Sequence, residues 1–423
     1  MKIVVMGQGY VGLPLAVAAV DAGHTVYGFE PDEQRREQLV QGSSYVGDVS
    51  DAELQSALAS ARYVPTAVET LLVGFDVAVI TVPTPLKDRQ PDLSFVRAAT
   101  RALGRQLTQG ATVVLESTTH PGTTRDVVVP ILEEFTGWKA GVDFHVAFSP
   151  ERIDPGNPDW TFTNTPKILS GLTVACRDRA ATFYDSITQD IVLAGSLEEA
   201  ELAKVFENTF RHVNIALVNE LTRLAHVLGV DVWRTLDLAA TKPFGFTKFL
   251  PGPGVGGHCL PVDPVYLTHH ARTRHGHAFR LVELAQDVNE AQPAYVVQRL
   301  QDALNTRMHR GVYGALILAL GLAYKPGTSD FRESPAAQVV SQLEAKGAHV
   351  HVTDPHVDLR AIKGLDSPLV ITNGPSPLPL GEYDAVVLLT PHTEFDLQQL
   401  AAEATYVLDT RGVMPVAPNI ERL

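Results

Sequence analysis

The sequence predicts an α/β architecture with two doubly wound α/β domains and a helical domain between them. Short apolar runs alternate with helical stretches from the N-terminus to about residue 195. A long helical pattern follows, and the alternation resumes after residue 310. Because parallel strands need a crossover helix, such alternation predicts parallel sheets with helices on both faces. We therefore expect domains at 1–195, 196–310 and 311–423.

The first block opens with one βαβ unit. A buried strand at 2–6 leads through a glycine turn into a helix at 13–22 and a second strand at 24–30. Further apolar strands are expected at 77–82, 112–116 and 145–148. Because helical stretches separate these strands, the sheet is predicted to be parallel.

The middle block is predicted to be helical, with one long helix from 196 to about 228 and a second helical stretch from about 279 to 308. The side chains that recur at helical spacing in the long helix are Leu202, Val205, Phe206, Thr209, Val213, Ala216, Leu217 and Leu221. The last block is predicted to hold strands at 312–320, 349–353, 385–389 and 406–408 and a helix at 334–346.

The composition limits the classes of partner. The chain has 423 residues, which suggests two or three domains. Its 34 basic and 48 acidic residues give a net charge of −14, so we expect no nucleic-acid partner. The two cysteines make no disulfide framework, which favours a reducing cytoplasm. Because no apolar run reaches membrane-spanning length and no signal-peptide pattern is visible, we expect no membrane partner.

The turn after the first strand has the spacing of a dinucleotide-binding fingerprint. Gly7 makes the tight turn, Gly9 lets the backbone approach a pyrophosphate, and Gly12 lets the helix pack on the strand. The helix N-terminus offers free N–H groups to phosphates. A glycine turn without a ligand is the alternative, but the order of strand, turn, helix and strand favours dinucleotide binding.

Glu30 ends the second strand and indicates which dinucleotide binds. A carboxylate there accepts hydrogen bonds from ribose hydroxyls and repels a 2′-phosphate, which favours NAD over NADP. Arg35 and Arg36 follow closely and would suit NADP, but we interpret them as solvated helix charges.

Cys259 lies in a loop rich in glycine and proline, residues 251–264. A thiol there, with Asp263 four residues later, is placed like a nucleophile. A small buried cysteine is the alternative. A dyad of Cys259 with His258 is disfavoured, because neighbouring side chains in an extended loop point apart. A metal site is also disfavoured, because the spacing matches no standard zinc pattern. The residues concerned are His258, Cys259, His269, His270, His275 and His277.

Seven segments together resemble the UDP-glucose/GDP-mannose dehydrogenase family, over essentially the whole chain. They are Gly-Gln-Gly-Tyr-Val-Gly-Leu-Pro (7–14), Val-Pro-Thr-Pro (82–85), Glu-Ser-Thr-Thr-His-Pro-Gly-Thr-Thr (116–124), Ser-Pro-Glu-Arg (149–152), Glu-Ala-Glu-Leu-Ala-Lys-Val-Phe-Glu-Asn (199–208), the Cys259 loop, and Gly-Leu-Ala-Tyr-Lys-Pro-Gly-Thr-Ser-Asp-Phe-Arg-Glu-Ser-Pro (321–335). Seven segments in family order are more specific than any one of them. The resemblance implies NAD-dependent oxidation of a sugar C6 alcohol to a carboxylate, with a cysteine thiohemiacetal and thioester on the way.

The resemblance also implies roles for individual residues. The catalytic set would be Cys259, Lys204, Asn208, Glu151, Asp263 and Thr118. The NAD site would comprise Gly7, Gly9, Tyr10, Val11, Gly12, Glu30, Thr84, Thr118 and Arg332. The substrate site would comprise Glu151, Arg152, Lys204, Asn208, Arg211, Phe249, Gly256 and Lys325. Lys204 and Asn208 would stabilise the oxyanion at C6. Either Glu151 or Asp263 could be the hydrolytic base, and Glu116 is interpreted as a strand-end residue.

The sugar is indicated by departures from the UDP-glucose branch of the family. Ser-Pro-Glu-Arg (149–152) and Gly-Gly-His-Cys-Leu-Pro-Val-Asp (256–263) resemble the N-acetylhexosamine branch. Thr-Lys-Pro-Phe-Gly-Phe (241–246) and Asn-Thr-Phe-Arg-His-Val-Asn (208–214) look most like UDP-N-acetylglucosamine 6-dehydrogenases. UDP-N-acetylmannosamine, UDP-N-acetylgalactosamine and UDP-glucose stay open.

Two other classes of function compete with this one. A two-electron dehydrogenase acting on an alcohol or hydroxy acid would share the glycine fingerprint but would not need Cys259. A non-catalytic nucleotide sensor would not need the complete catalytic set. The family resemblance also implies a homodimer or a higher homo-oligomer, built on the long central helix.

Overall fold

The computed structural model describes residues 1–154, 157, 159–257, 259–359 and 379–423. The chain forms two compact units. The first comprises Met1–Glu207 and Val265–Ala278, and the second comprises Asn208–Pro264 and Phe279–Leu423. The three domain boundaries given above stay a prediction.

The first unit is built on an eight-stranded sheet with the strand order β10-β9-β8-β7-β4-β1-β2-β3. Its strands are β1 (Lys2–Met6), β2 (Thr25–Phe29), β3 (Tyr63–Thr66), β4 (Val77–Ile80), β7 (Thr112–Leu115), β8 (His145–Phe148), β9 (Lys167–Gly171) and β10 (Ile191–Leu193), and the short pair β5 (Leu86–Lys87) and β6 (Gln90–Pro91) lies apart. The helices are α1 (Gly12–Asp21), α2 (Glu33–Gln41), α3 (Asp51–Ala59), α4 (Ser94–Gly104), α5 (Val129–Thr136) and α6 (Val174–Tyr184).

Two strands of this sheet, β9 and β10, run opposite to the other six. Neighbouring strands pair in parallel except β8 and β9, which are antiparallel. The expectation of a parallel sheet is therefore wrong at this position. The described residues between β8 and β9 contain no helix, and a connection without a crossover element returns a strand in the antiparallel direction.

The long helix α7 (Leu197–Leu228) begins and ends within one residue of its expected bounds. It is followed by α8 (Val232–Ala240), α9 (Asp263–His275), α10 (Arg280–Glu290) and α11 (Gln292–Met308). The expected single stretch 279–308 is therefore two helices, and the break falls at the residue before Gln292 and Pro293, where proline cannot continue the preceding hydrogen-bond pattern. The sequence did not predict α8, and for α9 it predicted only a solvated helix end bearing histidines 269–277.

The second sheet is parallel throughout, with the order β12-β11-β13-β14-β15. Its elements are β11 (Leu316–Leu320), α12 (Pro335–Ala345), β12 (His349–Thr353), β13 (Ala385–Leu388), α13 (Leu397–Glu403), β14 (Val407–Asp409) and β15 (Ile420–Arg422). The strand expected at 312–320 begins only at Leu316.

Both sheets have an apolar core on each face. Ile3 and Val5 of β1 belong to one core cluster, and Val4 and Met6 belong to another. In the second sheet, residues of β11 divide between two clusters in the same way. Because alternate side chains of a strand point to opposite faces, each sheet is covered on both sides, as expected for a doubly wound fold. Among the described helices, none is both long and apolar enough to cross a membrane.

Candidate active site

The glycine turn between β1 and α1 has the geometry of a dinucleotide cradle. Gly7 has φ +94°, a conformation that glycine adopts without strain. A Cβ on Gly12 would overlap the Gly7 carbonyl oxygen, so this position must be glycine for α1 to pack. A Cβ on Gly9 would meet no atom within 4 Å, so the space beside Gly9 is open. Tyr10 and Val11 complete the turn before the first residue of α1.

Glu30 follows β2, and its carboxylate turns back to this cradle. Its Oε2 accepts the Gln8 backbone N–H at 3.1 Å, and its Oε1 accepts the Asp32 N–H at 3.1 Å. Arg36 donates to the Glu30 backbone carbonyl at 3.2 Å, which leaves the carboxylate itself to the cradle. β1 lies between β2 and β4 in the sheet, at the point where the strand order reverses. These residues fit NAD, because they combine an open phosphate approach with a carboxylate for the ribose.

Thr84 and Thr118 lie in the loops that follow β4 and β7, at the same edge of the sheet. Thr84 is buried and Thr118 is half-buried. The Ser117 hydroxyl donates to the Val82 carbonyl at 2.7 Å and so joins the two loops. This edge is where an open parallel sheet binds its ligands.

A buried cluster of charges lies next to these loops. The Lys167 ammonium is 2.9 Å from Glu151 Oε2 and 3.1 Å from Glu116 Oε1. The exposed fractions of Glu116, Glu151 and Lys167 are 1%, 8% and 4%. Glu151 Oε1 also accepts the backbone N–H groups of Arg152 and Ile153, at 2.6 and 2.8 Å. Glu116 is therefore more than a strand-end residue, and Lys167 is a site residue that the sequence motifs did not predict.

The antiparallel register explains this cluster. Ala147 pairs with Gly171 and Phe148 pairs with Ser170. Continuing the same register past the end of β8 brings residue 151 opposite residue 167, so the first residue of β9 meets Glu151. A parallel β9 would have placed its first residue at the other edge of the sheet.

Arg152, predicted to reach the substrate, is engaged within the protein. Its guanidinium is 2.7 Å from a Glu207 carboxylate oxygen and donates to the Pro166 carbonyl at 2.7 Å. The ion pair fixes the segment that carries Glu151 to α7.

Helix α7 carries three of the predicted site residues one turn apart. Lys204 and Asn208 are buried, at 8% and 7% exposure, and Arg211 is exposed. Positions four and three apart lie on one helix face. The Asn208 amide donates to Asp263 Oδ2 at 2.5 Å. That bond ties α7 to the first residue of α9.

Cys259 lies in the turn that opens α9, and its thiol is exposed. Its carbonyl oxygen accepts the Val262 N–H at 3.2 Å and the Asp263 N–H at 2.9 Å. The thiol is thus separated from Asp263 by one turn of backbone. His258 lies outside the described residues.

The glycines before Cys259 pack directly on the segment that contains Lys325 and Arg332. A Cβ on Gly256 would lie 2.8 Å from Pro335 Cδ and 2.9 Å from Tyr324 Cβ. Gly257 donates its N–H to the Arg332 carbonyl at 3.1 Å, and its φ of +85° suits glycine. The thiol loop and the segment 321–335, both inside the second unit, therefore form one packed structure.

The charged side chains of this segment have local partners. The Arg332 guanidinium makes two hydrogen bonds to Asp330, at 2.9 and 2.6 Å, and Lys325 is half-buried. The bidentate pair with Asp330 presents Arg332 in a fixed orientation. Phe249, predicted to bind substrate, packs edge to face on Phe210 of α7 at 5.7 Å.

A chain of buried amides, which was not predicted from the sequence, also holds the Cys259 loop. The Asn219 amide donates to Asn289 Oδ1 at 3.0 Å, and its Oδ1 accepts the Gly252 N–H at 3.1 Å. Asn289 donates in turn to the His212 carbonyl at 3.1 Å. Burial lowers the pKa of His212 to about 4, so this ring is neutral at neutral pH. The signal in the sequence was polar residues on the inner face of two helices.

The histidines of residues 269–277 differ in their surroundings. His270 stacks on His120 at 4.3 Å, and His275 and His277 are exposed. Burial, with His120 next, lowers the pKa of His270 to about 4. A ring stacked on another in this way acts as a packing group.

Among the described residues, His356, His392 and Glu394 come close enough together to share a metal ion. Both nitrogens of His392 are already engaged, however. Nε2 lies 3.0 Å from Asp354 Oδ2, and Nδ1 accepts the Gly327 N–H at 3.3 Å. Against the effect of burial, hydrogen bonds from His392 and from backbone N–H groups hold the pKa of Asp354 well below its usual range. This pair therefore holds the segment that follows Lys325.

A dinucleotide cradle, an exposed cysteine and a helix bearing the buried Lys204 and Asn208 fit an NAD-dependent dehydrogenase. Comparison with known proteins identifies the family. Residues 1–188, 198–291 and 318–416 match, in turn, the NAD binding, central and UDP binding domains of the UDP-glucose/GDP-mannose dehydrogenase family. The chain belongs to this family, and it is an NAD-dependent nucleotide-sugar dehydrogenase.

Two relatives and one solved structure show how close the likeness is. A UDP-N-acetyl-D-glucosamine 6-dehydrogenase of Pseudomonas aeruginosa is 37% identical over 402 residues, 93% of this chain and 91% of that protein. A UDP-N-acetyl-D-mannosamine dehydrogenase of Pyrococcus horikoshii is 36% identical over 397 residues, 93% and 90% of the two chains. The solved structure of the UDP-D-ManNAc dehydrogenase from Pyrococcus horikoshii gives a TM-score of 0.90 at 33% identity, covering 100% of this chain and 99% of that one.

Alanine substitutions at Gly9 and Gly12 should distinguish a glycine needed for NADH binding from a glycine needed for helix packing. Gly12→Ala forces a Cβ onto the Gly7 carbonyl and should lower the free energy of unfolding by about 1–3 kcal/mol, as overpacking does. Gly9→Ala should leave that free energy unchanged and weaken NADH binding about tenfold or more, because the new methyl occupies the approach of the pyrophosphate. Urea unfolding and NADH fluorescence titration measure the two effects. Wild-type NADH affinity in Gly9→Ala would place the pyrophosphate elsewhere.

Proposed function

We propose that this chain oxidises the C6 hydroxymethyl group of a UDP-N-acetylhexosamine, with UDP-N-acetylglucosamine as the first choice, to the uronic acid. Two NAD are consumed for each sugar. The observation that carries the proposal is the contact of Asn208 with Asp263, one backbone turn from the Cys259 thiol. A two-electron alcohol dehydrogenase has no use for a thiol one backbone turn from a paired amide and carboxylate.

The first oxidation needs a site that tolerates negative charge on the C6 oxygen. We assign this task to the Lys204 ammonium and the Asn208 amide, on one face of α7. Both side chains are buried, and in a water-poor site such donors stabilise an alkoxide more strongly than water does. NAD, when bound, accepts one hydride from C6 in each of the two oxidations.

The second oxidation is assigned to a covalent step at Cys259. The thiolate attacks the C6 aldehyde, a C–S bond forms, and the aldehyde oxygen becomes the oxyanion of a thiohemiacetal. Loss of hydride from this adduct leaves a thioester. Cys259 is exposed, as a nucleophile that must meet its substrate has to be.

Hydrolysis of the thioester completes the reaction. Water adds to the C6 carbonyl, the C–S bond breaks and the thiolate leaves, so the product is the carboxylic acid, which ionises by giving its proton to solvent. Glu151 is assigned as the base that removes a proton from this water. Hydrogen bonds from two backbone N–H groups and from Lys167 hold the Glu151 carboxylate in one orientation. Asp263 is assigned to hold the water, and Thr118 to contact both the water and the cofactor.

The identity of the sugar rests on fewer residues. Arg211 lies one turn from Lys204 and Asn208, and we assign it to the sugar or its N-acetyl group. Phe249, Gly256 and Lys325 are assigned to the UDP-sugar as well, and Arg332 to the NAD pyrophosphate. The similarity to an N-acetylglucosamine enzyme and to an N-acetylmannosamine enzyme is nearly equal, 37% and 36%. UDP-N-acetylmannosamine, UDP-N-acetylgalactosamine and UDP-glucose are therefore the alternatives.

The stoichiometry of NADH tests the proposal. The purified protein is incubated with limiting amounts of UDP-N-acetylglucosamine, UDP-N-acetylmannosamine, UDP-N-acetylgalactosamine and UDP-glucose in turn. We expect two NADH for each UDP-N-acetylglucosamine and an acid product by mass spectrometry. One NADH with an aldehyde or ketone product would overturn the four-electron reaction, and a higher kcat/KM for another sugar would change the substrate alone.

Replacing the thiol tests the covalent step. Cys259→Ala should form no acid and release at most one NADH for each sugar, because the aldehyde cannot be captured. Cys176→Ala is the matched control, since Cys176 is buried within the first unit and should keep two NADH for each sugar. Acid formation by Cys259→Ala at the wild-type rate would exclude the thioester.

The outer face of α7 supports the further proposal that two copies of the chain pair through this helix. Leu217 and Val227 are 62% and 82% exposed. Exposed apolar side chains follow one another at the spacing of a helix–helix seam: Phe206, Phe210, Leu217, Leu224 and Leu228. Exposed apolar residues on an ordinary surface are scattered singly, whereas these form a continuous stripe along one helix.

Leu217→Glu should convert the homodimer to monomers, because a charge in the seam would be buried without a partner. Val142→Glu, which replaces an equally exposed apolar residue between α5 and β8, is the matched control and should leave the dimer intact. Sedimentation equilibrium gives both masses. A monomeric wild-type protein, or a dimeric Leu217→Glu variant, would contradict this assembly.

A further inference from the structure

Two buried carboxylates share a single ammonium in the first unit. Glu151 and Glu116 lie on either side of the Lys167 Nζ, at 2.9 and 3.1 Å. The rings of Phe162 and Tyr184 flank the same ammonium, at 5.1 and 5.4 Å from their centroids. Two negative groups and one positive group leave a charge imbalance in a site with almost no exposure. Such an imbalance is costly unless one carboxylate takes up a proton.

The two carboxylates have different surroundings. Glu151 accepts two backbone N–H groups as well as the ammonium, so its ionised form is well satisfied. Glu116 Oε1 accepts the Tyr184 hydroxyl in addition to the ammonium, but Glu116 Oε2 is buried with no hydrogen-bond partner among the described residues. Of the pair, Glu116 is the one that gains from being protonated.

The titration of the three groups agrees with the geometry. Burial raises the pKa of Glu116 to about 7, against the effect of Lys167. Burial alone would raise the pKa of Glu151, but the Lys167 ammonium and the backbone N–H groups bring it below its usual value. Burial opposes the charge of Lys167, yet the two carboxylates raise its pKa above normal. At neutral pH, Glu151 is thus a carboxylate, Lys167 is an ammonium, and Glu116 is close to its midpoint.

We propose that Glu116, Lys167 and Glu151 form a proton relay, in which Glu116 takes up the proton that Glu151 removes from the attacking water. This inference rests on the proposed role of Glu151 in hydrolysis. Lys167 gives one proton to Glu116 Oε1 and receives one from Glu151 Oε2, so its charge is the same before and after. No electrons move, and the net result is one proton on Glu116 and an ionised Glu151. Lys167 and Glu116 act through Glu151 and are positioning residues.

The relay has a direct consequence for the pH dependence of kcat. Only ionised Glu116 can accept a proton, so activity should rise with pH through the pKa of Glu116, near 7. The charged and titratable groups that face Glu116 are Lys167, Glu151 and Tyr184. Arg152 is paired with Glu207, so its guanidinium does not join the cluster.

Two variants of nearly wild-type shape test the relay. Glu116→Gln should lower kcat about tenfold or more with little change in KM, and the rise of kcat near pH 7 should disappear. Tyr184→Phe removes a hydrogen bond that stabilises ionised Glu116, so the rise should move to higher pH. Should Glu116→Gln fail to fold, the shift in Tyr184→Phe decides alone. An unchanged rise near pH 7 in either folded variant would overturn the relay.

Glu201 provides the matched control. It is a second buried carboxyl in the same unit, and burial raises its pKa to about 7, but it is hydrogen-bonded to Thr124 and Gly122. Glu201→Gln should therefore keep the rise of kcat near pH 7, and loss of the rise in this variant would assign it to Glu201 and overturn the relay.

Glu151→Gln separates the relay from the function on which it rests. A wild-type rate in Glu151→Gln would refute the role of Glu151 and the relay with it. If Glu151→Gln is inactive and Glu116→Gln keeps the wild-type pH profile, the relay alone fails. If Glu151→Gln is inactive and Glu116→Gln loses the rise, both are supported.

Discussion

Lys167 stands between two buried carboxylates because strand β9 runs against its neighbour β8. The reversal brings the first residue of β9 to the edge of the sheet where the loops after β4, β7 and β8 gather. An ammonium at this point neutralises Glu151 directly, so a carboxylate can be kept ionised with almost no exposure to water. Without that charge, the segment after β8 would carry an uncompensated anion into the protein. The direction of one strand thus decides which charges the first unit can bury beside its ligand edge.

Much of the fold could be predicted from local pattern. The unit β1–α1–β2 follows from short apolar runs and glycine spacing, and α7 follows from helical periodicity over 32 residues. The periodicity of α7 did not reveal what covers each face. Val205, Thr209 and Ala216 are buried, but Leu202, Phe206 and Leu217, which belong to the same pattern, are exposed. The spacing of apolar residues predicts that a helix has an apolar face. It does not predict which part of the protein, or which partner, packs against that face.

The part of the candidate site that could be predicted consists of residues close together in the sequence. The part that could not be predicted depends on how distant strands and helices pack together. Gly7, Gly9, Gly12 and Glu30 are fixed by one βαβ unit, so their geometry follows from their spacing. Lys167 and Glu116 lie 51 positions apart, and they meet because β7 pairs with β8 in parallel and β8 pairs with β9 in the antiparallel register. The Asn219–Asn289 bond likewise depends on two helices that are distant in sequence. Family resemblance assigned roles to residues of the seven shared segments, but Lys167, Asn219 and Asn289, which hold such residues in place, lie outside those segments.

The close packing of Gly256 and Gly257 on Tyr324 and Pro335 sets a condition on how the thiol loop can diverge. Neither glycine leaves room for even a methyl group without moving a ring or a proline. A larger residue at position 256 requires Pro335 or Tyr324 to move, so these positions are expected to show epistasis, whereas at position 257 the φ of +85° disfavours any other residue as well. Homologues with a larger residue at position 256 should therefore differ at position 324 or 335 as well.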